Sequence, residues 1–584
     1  MKNAVILFTF SPVQSFIAEA RRAEDLFNGS AILSQLARAA GEVFKSKGDL
    51  IYPAQLGEND APNVLVARVP ADKAETTASR AREVLLKRWQ EIAEQARKRA
   101  QLDEDDTWRQ IWQRQIVDTP PWQIYWAYAE EAESYAEAYQ RARNLLESVK
   151  HSRLFSQSHE EGEKDSLSGQ RSALHTAAHS SAREYWKRMA SKPHILPSQV
   201  HPEGREILDG IGLVKRFWEG AEREFPSTST VAAWDFYQAA CAQAPQELQR
   251  YRECLETVSP RLYQARKQDK IFPYDGDLFF AETLTARRLK DSYNVELPQA
   301  ELENVRKLLK ALVDKVGKAP SPYYMLIQFD GDGIGKKIDY LLARDDAENA
   351  HRRFSQNIGA FSNAVRGTIN PNQGGFLIYN GGDDVLLLAS LERGLQLAIE
   401  LARTYQEMVG DGFNGFTATA SAGIVIAHHL TPLSKALTLL RSAERRAKES
   451  RADSLGNKGV VCLTLAKRGG EALSARSAWE DVANFHQWVK AFRQKDLAGV
   501  FPYALAREAA TLEALPSEAT RSLVRYLVQR HTGERVAKAT CEQWADALIT
   551  WADNIRKRTN DKSGLTEVAH WLIAARFIAS GGAE

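Results

Sequence analysis

Three aspartates carry the clearest chemistry in the chain. Asp330 closes the run YYMLIQFD, and Asp383 and Asp384 follow Gly381 and Gly382 in IYNGGDD. Carboxylates brought close together repel one another unless something positive lies between them, and their hard oxygen donors suit Mg²⁺ or Mn²⁺. Either motif alone reads as an exposed turn. Placed on adjacent strands, the two together read as a metal site. Asp383 and Asp384 point to opposite faces of a regular strand, unless a distortion at the turn lets both reach one metal region. Lys448 lies at the end of a predicted helix, where its long ammonium side chain could reach a triphosphate or simply stay in water.

The elements that must position these residues are legible around them. Met325 to Phe329 reads as a short buried strand, and Phe376 to Tyr379 and Val385 to Ala389 as two strands joined at Asn380-Gly381-Gly382, with the aspartate pair opening the second. A helix precedes this hairpin and another follows it from about Glu392 to Met408. FTATASAGIVIA (Phe416 to Ala427) is rich in strand formers, and Leu433 to Lys448 has helical apolar spacing. Gly459 to Leu465 reads as a last strand. The order β-α-β-β-α-β is ferredoxin-like.

FDGDGIGK, IYNGGDD, TASAGIVIAHH and AERRAK resemble the cyclase Palm in the large subunit of type III CRISPR RNA-targeting complexes, closest to the Cmr (III-B) type. The resemblance implies a Palm/GGDEF-like nucleotidyltransferase that uses two Mg²⁺ or Mn²⁺ ions. ATP 3′-hydroxyls would attack ATP α-phosphates, giving 3′-5′ linked and usually cyclic oligoadenylate second messengers in antiviral defence. It implies Asp330, Asp383 and Asp384 as catalytic metal ligands, Gly381 and Gly382 as the turn that leaves room for nucleotide, and Lys448 as a phosphate contact. The implied partners are crRNA, target RNA and other Cmr-type subunits, including the small helical one.

The whole chain bounds these expectations. At 584 residues it is long enough for three to five domains, and 77 Lys and Arg against 75 Asp and Glu leave a net charge of only +2. Nucleic acid would therefore be met by local patches or through another subunit. Cys241, Cys254, Cys462 and Cys541 are scattered without the spacing of a disulfide framework or a zinc site. The opening MKNAVILFTFSPVQ reads as a first strand and not as a signal peptide, so a cytoplasmic location is expected, with no membrane association.

The N-terminal third again alternates strand and helix: Ala4 to Phe10, a helix from Ser11-Pro12 to about Ala40, Asn63 to Val69, a charged helix to about Gln101, IYWAYAE, and a helix to Val149. PVQSFIAEARRAEDLFNGSAILSQLAR resembles the start of the family's first, catalytically degenerate Palm. In the family the two Palms face each other over the bound ATP, which makes Arg21, Arg22, Asp25 and Ser30 candidate substrate-side or interface residues. The competing reading places them on one polar helix face. No histidine precedes an aspartate, and no histidine-aspartate nuclease domain stands before this Palm, so nuclease activity is not expected.

In the middle, Ser156 to Gly169 reads as a loop. EKDSLSGQ and REILDGIG resemble the two halves of a structural zinc site in relatives, with Asp165, Ser168, Asp209 and Gly212 at the cysteine positions. Such a set lacks thiolates, so no zinc is expected, although His159, His175, His179, His194 and His201 are near in sequence. Asp275 and Asp277 suggest a second acidic motif, equally explained by aromatic packing around it. Beyond Gly470 the chain reads as almost wholly helical, with Arg521, Arg525, Arg530, Arg556, Lys557 and Arg558 as candidates for a protein or RNA interface.

The expected fold is α/β plus α: two ferredoxin-like Palm/GGDEF-like domains, each followed by a mostly helical one. The divisions fall at 1–204, 205–319, 320–470 and 471–584. The competing functions are transfer of the adenylyl group to another acceptor, a catalytically silent nucleotide-binding scaffold, and a free-standing diguanylate-type cyclase.

Overall fold

The computed structural model describes residues 2–57, 61–152, 160–220, 225–262, 274–413, 416–559 and 563–582. Among these, no helix is long and apolar enough to cross a membrane.

Two sheets organise the chain. The first contains β1 (Asn3–Ser11), β2 (Asp49–Tyr52), β3 (Val64–Pro70) and β4 (Gln123–Glu130) in the antiparallel order β2-β3-β1-β4. β1 alternates its contacts. Ala4, Ile6, Phe8 and Phe10 enter the core under the Ala23–Lys47 and Ala74–Ala100 helices, while Val5 and Leu7 face the Tyr135–His151 helix. Sequence reading missed β2, whose four residues carry too little pattern, and it ran a helix straight on from Pro12. Instead, Ser11 stays extended opposite Gln123, and a short Gln14–Ala18 helix precedes the long Ala23–Lys47 one.

The second sheet contains β5 (Tyr323–Gly331), β6 (Gly375–Asn380), β7 (Val385–Ser390), β8 (Ala420–His428), β9 (Val460–Ala466) and β10 (Leu473–Ala478). Its order is β10-β9-β8-β5-β7-β6, so β8-β5-β7-β6 repeats the ferredoxin-like order of the first sheet. β9 runs parallel to β8 after the Leu433–Lys448 crossover helix, and β10 returns antiparallel. β10 lies beyond the expected boundary at residue 470: Leu473–Ala478 belongs to the sheet and not to a helical region.

Both faces of the second sheet are covered, which is why β5, β7, β8 and β9 read as unbroken apolar runs. Tyr324, Leu326, Leu386, Leu388 and Val425 join the core of the first sheet and of the middle helices. Met325, Ile327, Phe329, Leu387 and Ile424 face the Ala347–Thr368 and Gly394–Val409 helices, in one core with the C-terminal helices. The first unit therefore lies directly on the face of the second sheet that carries Gln328 and Leu386.

Candidate nucleotidyl-transfer site

Register brings the acidic residues together. β5 pairs with β7 on one side, Phe329 opposite Val385, and with β8 on the other, Asp330 opposite Ser421. The β6–β7 hairpin closes at the pair Asn380 and Val385, so Asp383 and Asp384 lie in the turn and do not open β7 as expected. Gly381 N donates to Asp384 O at 2.9 Å, and Asn380 Nδ2 ties the turn to Ser362 O at 2.8 Å. Gly382 has φ +96°, a left-handed conformation that L side chains rarely adopt, and a Cβ there would come 3.1 Å from Ile358 Cγ2. The Tyr379 hydroxyl stands where a Cβ on Gly381 would lie.

Asp383 and Asp384 diverge. Asp384 faces the cleft between the two units, lined by Gln328, Leu386, Leu437 and Arg441 from the second and by Gln14 and Ile17 from the first. Its Oδ1 is buried without a hydrogen-bond partner. Burial pushes its carboxyl up to about 6. Asp383 turns the other way: its Cβ is 3.0 Å from where a Cβ on Gly331 would stand, beside the partnerless Tyr405 hydroxyl. Burial, then the Asp384 charge, pushes Asp383 up to about 7.

Asp330 shares the Gln328 face and receives the Lys448 ammonium, which also lies 3.2 Å from Glu444 Oε1. Lys448 is thus beside an acid of the site, at the end of the Leu433–Lys448 helix. Burial first and Lys458 second lower it to about 8. Burial, then Asp384, pushes Glu444 up to about 7. Glu444 was missed by sequence reading. Its position one helical turn before Lys448 was the available signal.

Asp332 was missed as well. It is 2% exposed, and four donors surround it: Ser421 Oγ at 2.7 Å, Thr419 Oγ1 at 2.8 Å, Gly459 N at 2.9 Å and Lys458 N at 3.0 Å. A carboxylate so fully supplied is an anchor: it fastens the turn after Asp330 to the loop before β9. Lys337 donates to Asp332 O across the same junction, and burial lowers it to about 8.

Among the described residues no three His, Cys, Asp or Glu side chains stand close enough to form a ready cation cage. The donor chemistry nevertheless fits a divalent ion. Asp384 offers an unpartnered buried oxygen, Asp330 shares its face, and burial pushes both turn acids above the usual carboxylate range.

The other sequence candidates are structural. Asp25 accepts from Arg216 Nη2 at 2.7 Å with both side chains 0% exposed, and Glu206 receives Arg22 Nε at 3.0 Å and Arg216 Nη1 at 2.8 Å. Arg21 Nε donates to Ser166 O at 2.7 Å. These three residues hold the Ala23–Lys47 helix to the Gly210–Phe217 helix and its approach, away from the cleft. Ser30 is buried in the same long helix, which packs against β6.

At the zinc-like positions, Asp165 Oδ1 accepts from Leu167 N at 2.8 Å and Ser168 N at 2.6 Å, and Asp209 Oδ1 from Gly212 N at 2.6 Å. Arg171 pairs with Asp209 and Glu19, so a guanidinium supplies the positive charge there. That donor set does not fit zinc. His175, His179, His194 and His201 bond to nearby Ala173 O, Thr176, Ala100 O and Glu203 N, and His159 lies outside the described residues. Asp277 is taken up by Ser229, Arg288 and His429, and Asp275 caps a short turn.

Comparison with known proteins matches these units. Residues 326–447 match the model described as "mCpol: minimal CRISPR polymerase domain", and residues 5–94 that of "CRISPR-associated protein Cmr2, N-terminal". The Cmr subunit Cmr2 of Pyrococcus furiosus is 23% identical over 619 residues, covering 91% of this chain and 69% of the relative. Both α/β units of the chain are thus similar to Cmr2 proteins. The fold of this chain is that of a chain in the apo type III-B Cmr-beta structure, with TM-score 0.64 and 13% identity over 92% of this chain and 78% of that one. The Cmr-beta structure bound to cognate target RNA gives TM-score 0.60 and 13% identity over 92% and 79%. The second α/β unit of this chain is thus a nucleotidyltransferase domain of the CRISPR-polymerase type.

Proposed function

We propose that this chain is the large subunit of a crRNA-guided type III-B complex and makes 3′-5′ linked, cyclic oligoadenylates from ATP when target RNA is bound. The observation that carries the reading is the partnerless Asp384 Oδ1, buried in the cleft between the two units, whose charge reaches Glu444 next to the Lys448–Asp330 pair. A folded protein does not keep an acid desolvated and unpaired without a use for it. Asp330, Asp384 and Asp383 would hold two Mg²⁺ or Mn²⁺ ions, which supply charge stabilisation at the α-phosphate and at departing pyrophosphate.

This chain's own residues then have separable tasks. The Gly382 turn sets the directions of Asp383 and Asp384. Lys448 moves between Asp330 and a phosphate oxygen, since its ammonium is the one bonded to Asp330. The Gln14–Ala18 helix of the first unit walls the cleft and limits water. The new bond joins a 3′-oxygen to the α-phosphorus as the α–β bridge breaks. Burial, with the charge of Asp384, raises Glu444 to about 7, so that in its ionised form it is a base matched to neutral pH for taking up the hydroxyl proton. Partners follow the same reading: crRNA, target RNA and the remaining Cmr-type subunits, as the target-bound relative's description suggests.

The test is mass spectrometry of products from the assembled complex given ATP, Mg²⁺ or Mn²⁺, and matched target RNA. Cyclic oligoadenylates are expected. An adenylylated acceptor in their place, or no product at all, would overturn the reading.

A further inference from the structure

The loop between Lys448 and β9 is gripped from outside by the C-terminal helices. Arg558, near the end of the Lys538–Thr559 helix, donates from Nη1 to Lys458 O at 2.8 Å, and its own carbonyl accepts from Arg451 N at 2.9 Å. Both ends of the 449–459 loop are therefore fastened to one residue. Lys458 O and Gly459 N belong to the same planar peptide unit. Arg558 holds the oxygen of that unit, and Asp332 Oδ2 holds its N–H at 2.9 Å.

A peptide next to glycine flips more easily than most, because one of its flanking residues has no Cβ to resist. Gly459 indeed lies at φ +63°. A flip here would break both hydrogen bonds at once and take away one of the four donors that hold Asp332, two residues from Asp330. A second contact runs alongside: Glu567, 2% exposed in the Gly564–Ala579 helix, receives Arg446 Nη2 at 2.7 Å, two residues before Lys448.

We infer that Arg558 is a positioning residue through which the C-terminal helical region locks the Lys458–Gly459 peptide and so holds Asp332, Asp330 and Lys448 in their working arrangement. The inference rests on the nucleotidyl-transfer reading for its catalytic consequence, though not for the lock itself.

The test compares wild type with Arg558→Ala, Arg558→Lys and, as a control, the exposed neighbour Lys557→Ala, all as full chains in the assembled complex. Backbone hydrogen exchange at Lys458 and Gly459 and product formation at saturating ATP are both measured. Arg558→Ala should raise exchange at these two amides at least tenfold and lower product formation about tenfold. Arg558→Lys should recover at least half of each effect, and Lys557→Ala should match wild type. Unchanged exchange at the two amides would overturn the inference. So would exchange that rises equally across all the C-terminal helices, because that marks a merely structural contact. If wild type makes no nucleotide product, the functional reading fails, and the exchange result decides the lock alone.

Discussion

The two α/β units share a strand order and differ in the buried charge of their candidate residues. In the first and the segment that follows it, several buried acids are paired with guanidiniums. Asp25 meets Arg216, Glu206 meets both Arg22 and Arg216, and Asp209 meets Arg171. The guanidiniums hold Glu206 well below the usual carboxylate range despite its burial. In the second, Asp384 keeps a bare buried oxygen, and Asp383, Asp384 and Glu444 are all pushed up. Paired burial holds a fold together, whereas unpaired burial costs stability and persists where chemistry needs it. The difference assigns architecture to the first unit and reaction to the second.

The largest test of this contrast is Asp383→Ala with Asp384→Ala. It should lower nucleotide synthesis at least a hundredfold, while thermal melting stays within a few degrees of wild type and assembly survives, because no ion pair is broken and the unpartnered Asp384 oxygen is lost. Labelled-ATP turnover and native mass measurement check it. Loss of assembly would show the turn to be chiefly structural. Arg216→Met makes the opposite prediction. Removing the base strands Asp25 in the core and leaves Glu206 with Arg22 alone, at a cost of roughly 3–5 kcal/mol by urea unfolding. Any correctly folded remainder should keep normal turnover per folded chain.

Lys448→Ala sharpens the comparison at the site's edge. The expected result is about a tenfold fall in kcat/KM for ATP with little change in melting, as partly exposed ion pairs add little stability. The smallest effect concerns the junction of the units. His351 shares a hydrogen bond with Tyr135 at 2.9 Å, and burial lowers it to about 4. The unfolded chain binds a proton there that the folded chain refuses, so stability falls as pH drops from about 6.5 to about 4. His351→Gln should flatten this slope by roughly 1–3 kcal/mol in denaturant melts across that window. An unchanged slope would place the titration elsewhere.

How far the site was legible depends on the range of the interactions. Asp330 and the GGDD turn stood out because strand ends and glycine turns are local signals, and the Leu433–Lys448 helix was bounded as observed because its apolar spacing is local too. Asp332 was invisible as an anchor. Its four donors come from residues 419, 421, 458 and 459, and no spacing rule links them to DGDG. Glu444 and Lys448 are one helical turn apart, but only the crossover to β9 sets that helix over Asp384 and Asp330.

The amino-acid sequence by itself determined the alternating strand and helix order, the three aspartates and the helical C-terminal end, since periodicity and turn chemistry act within a few residues. It also carried β10, although six mixed residues did not announce themselves as a strand before β9 was there to pair with them. Tertiary structure alone decided which acids are paired. Arg216 reaches Asp25 across 191 positions, and nothing near Asp384 reaches its Oδ1. Pairing is a property of packed surfaces and not of neighbours in the chain. That physical fact separates the residues that hold this protein together from those left free to react.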